Sequence, residues 1–160
     1  MVFDRVSWYQ QSWFNMTVVI GSLAILLLCV LLWPVNLVLR RHYGRRLELS
    51  RGESRLRLLT RIGAVLNLAF AIAFALLFTS ALKNIGMMTP KLDPKIHLIQ
   101  VVGILGALAT VAAILNAWRS RSNSSIWFWG KLGNWLVAAA FLGFTWFAVH
   151  FNLLNMNLHY

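Results

Sequence analysis

The chain has 160 residues, of which 59% are hydrophobic and only 12% are charged, a composition far more apolar than that of an ordinary soluble domain. Its net charge of +11 would favour nucleic-acid binding in a soluble protein. The basic residues instead cluster beside long apolar runs, where they can meet lipid headgroups. We therefore expect the lipid bilayer as the principal partner and no nucleic acid.

Four apolar runs predict an all-α integral membrane protein whose four transmembrane helices form an antiparallel bundle. At about 1.5 Å per helical residue, each run can cross a hydrocarbon layer of about 30 Å. Backbone polar groups in lipid must be satisfied within the segment itself, so these runs must be helical. The predicted helices are residues 14–39, 60–82, 97–118 and 130–154, in a single four-helix membrane domain over residues 1–160.

The first run contains Cys29, the single cysteine of the chain, which excludes an internal disulfide and a cysteine-based zinc site. Late in the same run, Pro34 removes one backbone hydrogen bond, so we expect a bend there. A basic connector over residues 40–59 is predicted to follow. Eight arginines lie in this connector and the turn after it: Arg40, Arg41, Arg45, Arg46, Arg51, Arg55, Arg57 and Arg61.

The distribution of basic residues predicts the orientation. With Arg119, Arg121 and Lys131 near the third connector, one side of the membrane carries eleven basic residues. The other side carries four, which are Arg5, Lys83, Lys91 and Lys95. Short loops rich in lysine and arginine stay in the cytoplasm. We therefore expect both termini to be extracytoplasmic in a multi-pass protein of the bacterial cytoplasmic membrane.

The second helix has a sequence signal at each end. Ser50 followed three residues later by Glu53 is a capping-box pattern, which predicts a helix start near Arg51, with the first turns at the cytoplasmic interface. At the far end, Ser80 and Lys83 match the S-x-x-K nucleophile motif. That motif acts at the start of a helix in a soluble cleft, whereas here it closes an apolar helix. We interpret the match as coincidence.

Small residues at helical spacing predict how the helices pack, because small faces let helix backbones approach closely in lipid. The third helix carries such a face, made of Gly103, Gly106, Ala107, Thr110 and Ala113. The second helix carries a corresponding one, made of Gly63, Asn67, Ala71 and Ala75. Packing within the four-helix bundle is the favoured interpretation, and a homo-oligomer is the alternative.

Residues that could carry chemistry are sparse. All four acids, which are Asp4, Glu48, Glu53 and Asp93, are predicted in tails or connectors, which argues against a proton-coupled transporter. His97 and His150 fall near the outer ends of their helices, where interfacial hydrogen bonding is the ordinary role and a haem or metal site a remote alternative. We expect no catalytic residue, no metal and no cofactor.

The chain resembles the C-terminal membrane region of bacterial serine hydrolases of the β-lactamase-related, penicillin-binding-protein-like family. The aromatic lead-in Phe3–Gln10 is similar to that family's approach to its first membrane helix. Leu32–Val35 followed by Arg40 and Arg41 is similar to its first helix exit. The stretch Trp146–Leu154, shortly before Tyr160, is similar to its closing sequence.

This resemblance implies a non-catalytic membrane-anchor domain, with an extracytoplasmic β-lactamase-like hydrolase domain as partner. The 160 residues contain no hydrolase domain, so no catalytic residue carries over to any position. The alternative is a stand-alone small integral membrane protein with a binding, sensing or transport role. A water-filled cavity would favour that alternative if it were lined by Asn67, Gln100, Asn116 or Asn134. A membrane-embedded enzyme or haem protein is a third, weaker hypothesis.

Overall fold

The computed structural model describes residues 11–42, 50–83 and 93–154. This part of the chain is helical apart from short turns and contains no strand. Its four α-helices are α1 (Ser12–His42), α2 (Arg51–Lys83), α3 (Asp93–Ser122) and α4 (Phe128–His150).

Each of the four helices contains an apolar stretch that is long enough to cross a membrane. The prediction of an all-α protein with four helices of membrane-spanning length is therefore confirmed. The helices indicate a multi-pass membrane protein, because their outward surfaces are covered with large exposed apolar side chains. A water-soluble monomer rarely exposes continuous apolar surface of this extent.

The predicted basic connector over residues 40–59 is too long. Helix α1 continues to His42 and α2 already begins at Arg51. The capping box forms as predicted: the Glu53 backbone N–H donates to Ser50 Oγ at 3.2 Å, and the Ser50 N–H donates to Glu53 Oε2 at 2.9 Å. These two bonds satisfy amides that would otherwise lack a partner, so the helix starts at the cap rather than at the edge of the apolar run.

Helix α4 ends at His150, four residues before the predicted end. Asn152 adopts a left-handed backbone with φ 58°. Its N–H donates to the Val149 carbonyl at 3.0 Å, and the Leu153 N–H donates to the Ala148 carbonyl at 2.9 Å. This pair of bonds is a Schellman motif, which stops a helix while satisfying its last carbonyls. The apolar residues after His150 concealed this stop in the sequence.

The four helices pack in a ring in which the principal contacts join α1 to α2, α2 to α3, α3 to α4, and α4 to α1. The interface between α2 and α3 is the most extensive of these, and that between α1 and α2 is the smallest. The core consists mainly of small side chains around a fully buried Phe141, together with Leu26, Ala64, Ala113, Ala117, Ala138 and Ala140.

Glycines set the separation between α2 and α3. A Cβ atom added at Gly63 would lie 2.2 Å from Ala109 Cβ, and one added at Gly106 would lie 2.3 Å from Asn67 Oδ1. A Cβ added at Gly103 would meet the Phe70 ring at 2.7 Å. The helices can therefore approach this closely only because these three positions lack a side chain.

Ala75, expected on the packing face of α2, is exposed. The predicted face advanced by four residues at every step, and four residues turn a helix by more than one full revolution. The resulting drift carries the fourth position out of the contact. The actual contact follows a mixed spacing of four and three residues through Gly63, Asn67 and Phe70.

Candidate functional site

A cleft of about 380 Å³ lies at the end of the bundle where α1 ends, α2 begins, α3 ends and α4 begins. All four helices contribute to its lining. The lining residues are Ile25, Leu28, Cys29, Leu32, Trp33 and Asn36 of α1, Arg57, Thr60 and Arg61 of α2, Asn116 of α3, and Gly130, Gly133, Asn134, Leu136 and Val137 of α4. We refer to it as the basic cleft.

Helix α2 supplies the positive charge of the basic cleft. Arg57 and Arg61 are four residues apart and therefore project from the same face of the helix. The Arg61 guanidinium carbon lies 5.1 Å from the centre of the Trp33 ring of α1, which is cation–π geometry. Arg57 Nη1 is buried. Between the two arginines, Thr60 Oγ1 donates to the Leu56 carbonyl at 2.9 Å. The hydroxyl proton of Thr60 is therefore used within α2.

Two asparagines add amide groups from α3 and α4. Asn116 Nδ2 donates to Asn134 Oδ1 at 3.4 Å. The Asn134 Nδ2 group is buried and has no hydrogen-bond partner within the described part of the chain. A buried amide donor without a partner costs free energy, so an acceptor placed beside this group would stabilise it.

The rest of the lining of the basic cleft is mostly apolar, and we refer to this part as its apolar wall. Ile25, Leu28 and Leu32 line it from α1, and Leu136 and Val137 line it from α4. The one amide on the α1 side, Asn36 Nδ2, donates to the Leu32 carbonyl at 2.8 Å. This bond lies within α1, so the α1 wall offers mainly apolar surface and the Trp33 ring.

Acidic side chains do not enter this lining. Glu53 lies in the first turn of α2, where its Oε1 accepts a hydrogen bond from Asn123 Nδ2 at 3.0 Å. Its other oxygen completes the α2 cap. Nearby, Lys131 Nζ donates to the Arg121 carbonyl at 2.9 Å. These bonds tie the start of α2 to the turn between α3 and α4, and the start of α4 to the last turn of α3.

The eight arginines that were predicted to set the membrane orientation differ in where their side chains lie. Arg57 and Arg61 line the basic cleft, whereas Arg51 and Arg55 are exposed on the outside of α2. Arg45 and Arg46 lie outside the described residues. The backbone of Arg40 and Arg41 belongs to α1, and their side chains lie outside the described part. Phe3–Gln10 and Tyr160 of the resemblance also lie outside it.

The predicted packing residues lie away from the cleft. Asn67 is 1% exposed, and its Nδ2 donates to the Gly106 carbonyl at 3.3 Å. The Thr110 and Thr145 hydroxyls are 2.8 Å apart and join α3 to α4. Gly103 is buried against Phe70, and Ala107 is half-buried. These polar groups therefore lie within contacts between helices.

Of the four residues considered for a polar cavity, Asn116 and Asn134 line the basic cleft, whereas Asn67 and Gln100 do not. Sequence reasoning did not single out Trp33 or Gly133 as cleft residues. A partial signal existed, because Arg57 and Arg61 share one helix face and project toward an apolar bundle. The identity of the opposing wall depends on helix order, which the sequence does not show.

His97 and His150 do not form a shared site in the structure. The His150 ring stacks on Trp146 with centroids 5.1 Å apart and an interplanar angle of 12°, and His97 is exposed. Within residues 11–42, 50–83 and 93–154, no group of three or more histidine, cysteine or acidic side chains could hold a metal ion.

Comparisons of the chain with protein-family models, with curated proteins and with solved structures find no match. The arrangement of the helices and the chemistry of the basic cleft are therefore the basis on which a function can be proposed.

Proposed function

We propose that this chain is a non-catalytic membrane domain that anchors or presents an extracytoplasmic serine hydrolase of the β-lactamase-related type. The observation that carries the proposal is a bundle of four bilayer-length helices, two of which contain stretches of the family resemblance. Leu32–Val35 lies in the last third of α1, and Trp146–Leu154 spans the end of α4 and its Schellman turn.

The use of polar side chains supports an anchoring role. The Thr110–Thr145 hydroxyl contact and the Asn67–Gly106 bond each join two helices. Thr79 and Ser80 donate to carbonyls of the preceding turn of α2. Hydrogen bonds between membrane helices typically stabilise a bundle by about 0.6 to 2 kcal/mol each. These polar groups therefore either join two helices or bond within their own helix, as expected of a bundle that serves as an anchor.

The proposal includes an antiparallel bundle with both termini outside the cytoplasm. The order of the contacts supports it: Gly63 lies against Ala109 and Phe70 against Gly103, so the partner number falls as the α2 number rises. The excess of basic residues around the first and third connectors supports a cytoplasmic location for that end, by the positive-inside rule. A bacterial cytoplasmic membrane is the corresponding location.

Reporter fusions test the orientation. Alkaline phosphatase fused after Tyr160 is expected to be active, because the enzyme matures only outside the cytoplasm. Green fluorescent protein fused at the same position is expected to stay dark in cells. Fusions after His42 should show the reverse pattern and serve as the internal control. Bright fluorescence with inactive phosphatase at Tyr160 would contradict the proposed orientation.

The anchoring function is tested with a β-lactamase-like hydrolase encoded immediately upstream of Met1. Produced together with this chain, the hydrolase is expected to sediment with membranes and to remain there after a high-salt wash. Produced with an unrelated four-helix membrane protein, it should be soluble in the periplasm. The absence of any such neighbouring hydrolase, or its identical fractionation in both cases, would count against the proposal.

The basic cleft favours a second candidate function, a stand-alone membrane protein with a binding role. Arg57, Arg61 and Asn134 line one space together with apolar residues of α1 and α4. Packing alone does not require a space of this kind. A ligand-dependent rise in the melting temperature of the purified protein, lost when the cleft is filled by Gly133→Leu, would support this candidate.

A further inference from the structure

The basic cleft combines two arginine cations with asparagine amide groups. Arg57 and Arg61 line it one helical turn apart, and the Trp33 ring holds the Arg61 guanidinium at 5.1 Å. No lining residue is acidic, so the local charge of the lining is positive. Arginine guanidinium groups match phosphate geometry and are less strongly hydrated than ammonium groups. The polar end of the cleft therefore suits a phosphate group.

The lining changes from polar to apolar along the helix axes. On α1, Asn36 lies nearest the helix end, and Ile25 lies about 16 Å further into the bundle by the rise of 1.5 Å per residue. On α4, Gly133 and Asn134 precede Leu136. The apolar α1 residues of the lining, from Leu32 to Ile25, cover about 10 Å of this depth, which fits within the hydrocarbon part of one leaflet, about 15 Å thick.

The cleft also has room for a ligand. A Cβ atom added at Gly133 would meet no heavy atom within 4 Å, in contrast to Gly63 and Gly106 in the α2–α3 contact. The volume of about 380 Å³ lies within the range of sites for small ligands, about 300 to 1,000 Å³. A phosphodiester headgroup and the first part of an acyl chain can share such a space.

We infer that the basic cleft binds one anionic phospholipid. Its phosphate accepts hydrogen bonds from Arg57 and Arg61, and one acyl chain lies along Ile25, Leu28 and Leu136. The apolar wall selects a lipid over a free anion, because a free anion would leave that wall facing water. The inference deepens the binding candidate by naming its ligand class, and it does not depend on a hydrolase partner.

The experiment is native mass spectrometry of the full chain purified in detergent and mixed with phosphatidylglycerol or with phosphatidylcholine. The wild-type protein is expected to retain one phosphatidylglycerol molecule per chain in preference to phosphatidylcholine. The double variant Arg57→Gln/Arg61→Gln should retain it at least about tenfold less well, since charge-assisted hydrogen bonds are lost. Arg55→Gln, an exposed arginine of the same helix, is the charge-matched control and should behave as wild type.

A steric variant leaves both arginines in place. Gly133→Leu should fill the cleft and displace the lipid. Gly21→Leu is the matched control, because Gly21 also has open space around its missing side chain but does not line the cleft. Retention of phosphatidylglycerol by Gly133→Leu, in a protein whose helix content and melting temperature match those of Gly21→Leu, would overturn the inference.

Cys29 provides a second readout, because it lines the cleft and is the only cysteine of the chain. In bilayers containing phosphatidylglycerol, N-ethylmaleimide should alkylate Cys29 several-fold more slowly than in phosphatidylcholine, and the double arginine variant should abolish the difference. Equal alkylation rates in both lipids would contradict the inference. Equal protection by inorganic phosphate in phosphatidylcholine would also overturn it, since the site would then take a free anion.

Discussion

At the scale of single residues, the contact between α2 and α3 depends on glycines, which have no side chain. Gly63, Gly103 and Gly106 each face a side chain of another helix at a distance that a Cβ atom could not tolerate. The polar Asn67 is stable in this contact because its amide donates to the Gly106 carbonyl. Close approach and hydrogen bonding thus occur at the same place, as expected where lipid provides no hydrophobic drive between helices.

Gly63→Ala tests this close approach. The new Cβ would lie 2.2 Å from Ala109 Cβ and 3.1 Å from the nearest atom of the fully buried Phe141 ring. We expect a loss of about 1 to 3 kcal/mol of stability, the usual cost of overpacking, measured by thermal unfolding in detergent. Gly21→Ala meets no atom within 4 Å and is the control. Equal melting temperatures for the two variants would contradict the proposed contact.

Thr110 and Thr145 test the hydrogen bond between α3 and α4. Each replacement by valine keeps the shape of the side chain but removes the hydroxyl. A double-mutant cycle on the two positions should give a coupling free energy near 0.6 kcal/mol, and at most about 1.7, by analogy with membrane helices in general. Strict additivity of the two changes in unfolding free energy would show that the 2.8 Å contact contributes nothing.

At the scale of elements, the start of α2 is fixed by a local signal in the sequence. Ser50→Ala removes the oxygen that accepts the Glu53 N–H, which should cost about 1 kcal/mol. Hydrogen exchange of the first-turn amides of α2 should therefore quicken by roughly fivefold. Ser54→Ala, an exposed serine of the same turn, should leave the exchange rates unchanged. Equal exchange rates in the two variants would show that the cap does not hold this turn.

The end of α4 depends on the left-handed backbone of Asn152. Asn152→Ala should lower the stability by about 1 kcal/mol, because a Cβ-bearing residue without a local hydrogen-bonding side chain disfavours this conformation. Asn152→Gly should retain or raise the stability, since glycine adopts it freely. Thermal unfolding distinguishes the two. A lower melting temperature for the glycine variant than for the alanine variant would contradict the Schellman assignment.

These elements show how far the sequence determines the fold. Apolar runs predicted the four helices, and the Ser50–Glu53 pattern predicted the start of α2. The end of α4 was missed because Asn152 is a weaker stop signal than glycine and lies within an apolar stretch. The α2 packing face was correct at Gly63 and Asn67 and wrong at Ala75, because a fixed step of four residues departs from the helical repeat.

At the scale of the whole molecule, the basic cleft arises from helix order. Arg57 and Arg61 approach the Asn116–Asn134 pair only because α2 packs on α3 and α3 on α4. Apolar residues of α1 complete the lining, because α1 closes the ring between α2 and α4. The sequence supplied the polar residues but not their neighbours, since the pairing of helices depends on contacts between residues far apart in the chain.

In this ring of four helices, most of the large apolar side chains lie on the outside of the bundle. Leu31, Ile72 and Leu108 are more than half exposed, whereas the buried apolar side chains are mostly alanines together with Phe70, Phe141 and Phe144. Small side chains inside and large apolar ones outside are the arrangement that lipid favours. In water this outer surface would cause association, so the bilayer is an essential part of the account.

Membrane extraction tests whether lipid surrounds the four helices. After expression, the chain is expected to stay in the membrane pellet through a wash with alkaline carbonate, and to enter solution only with detergent. On removal of the detergent it should aggregate, because its exposed leucines and isoleucines lose their lipid-like surroundings. A folded helical protein that remains monomeric in detergent-free buffer would contradict the account.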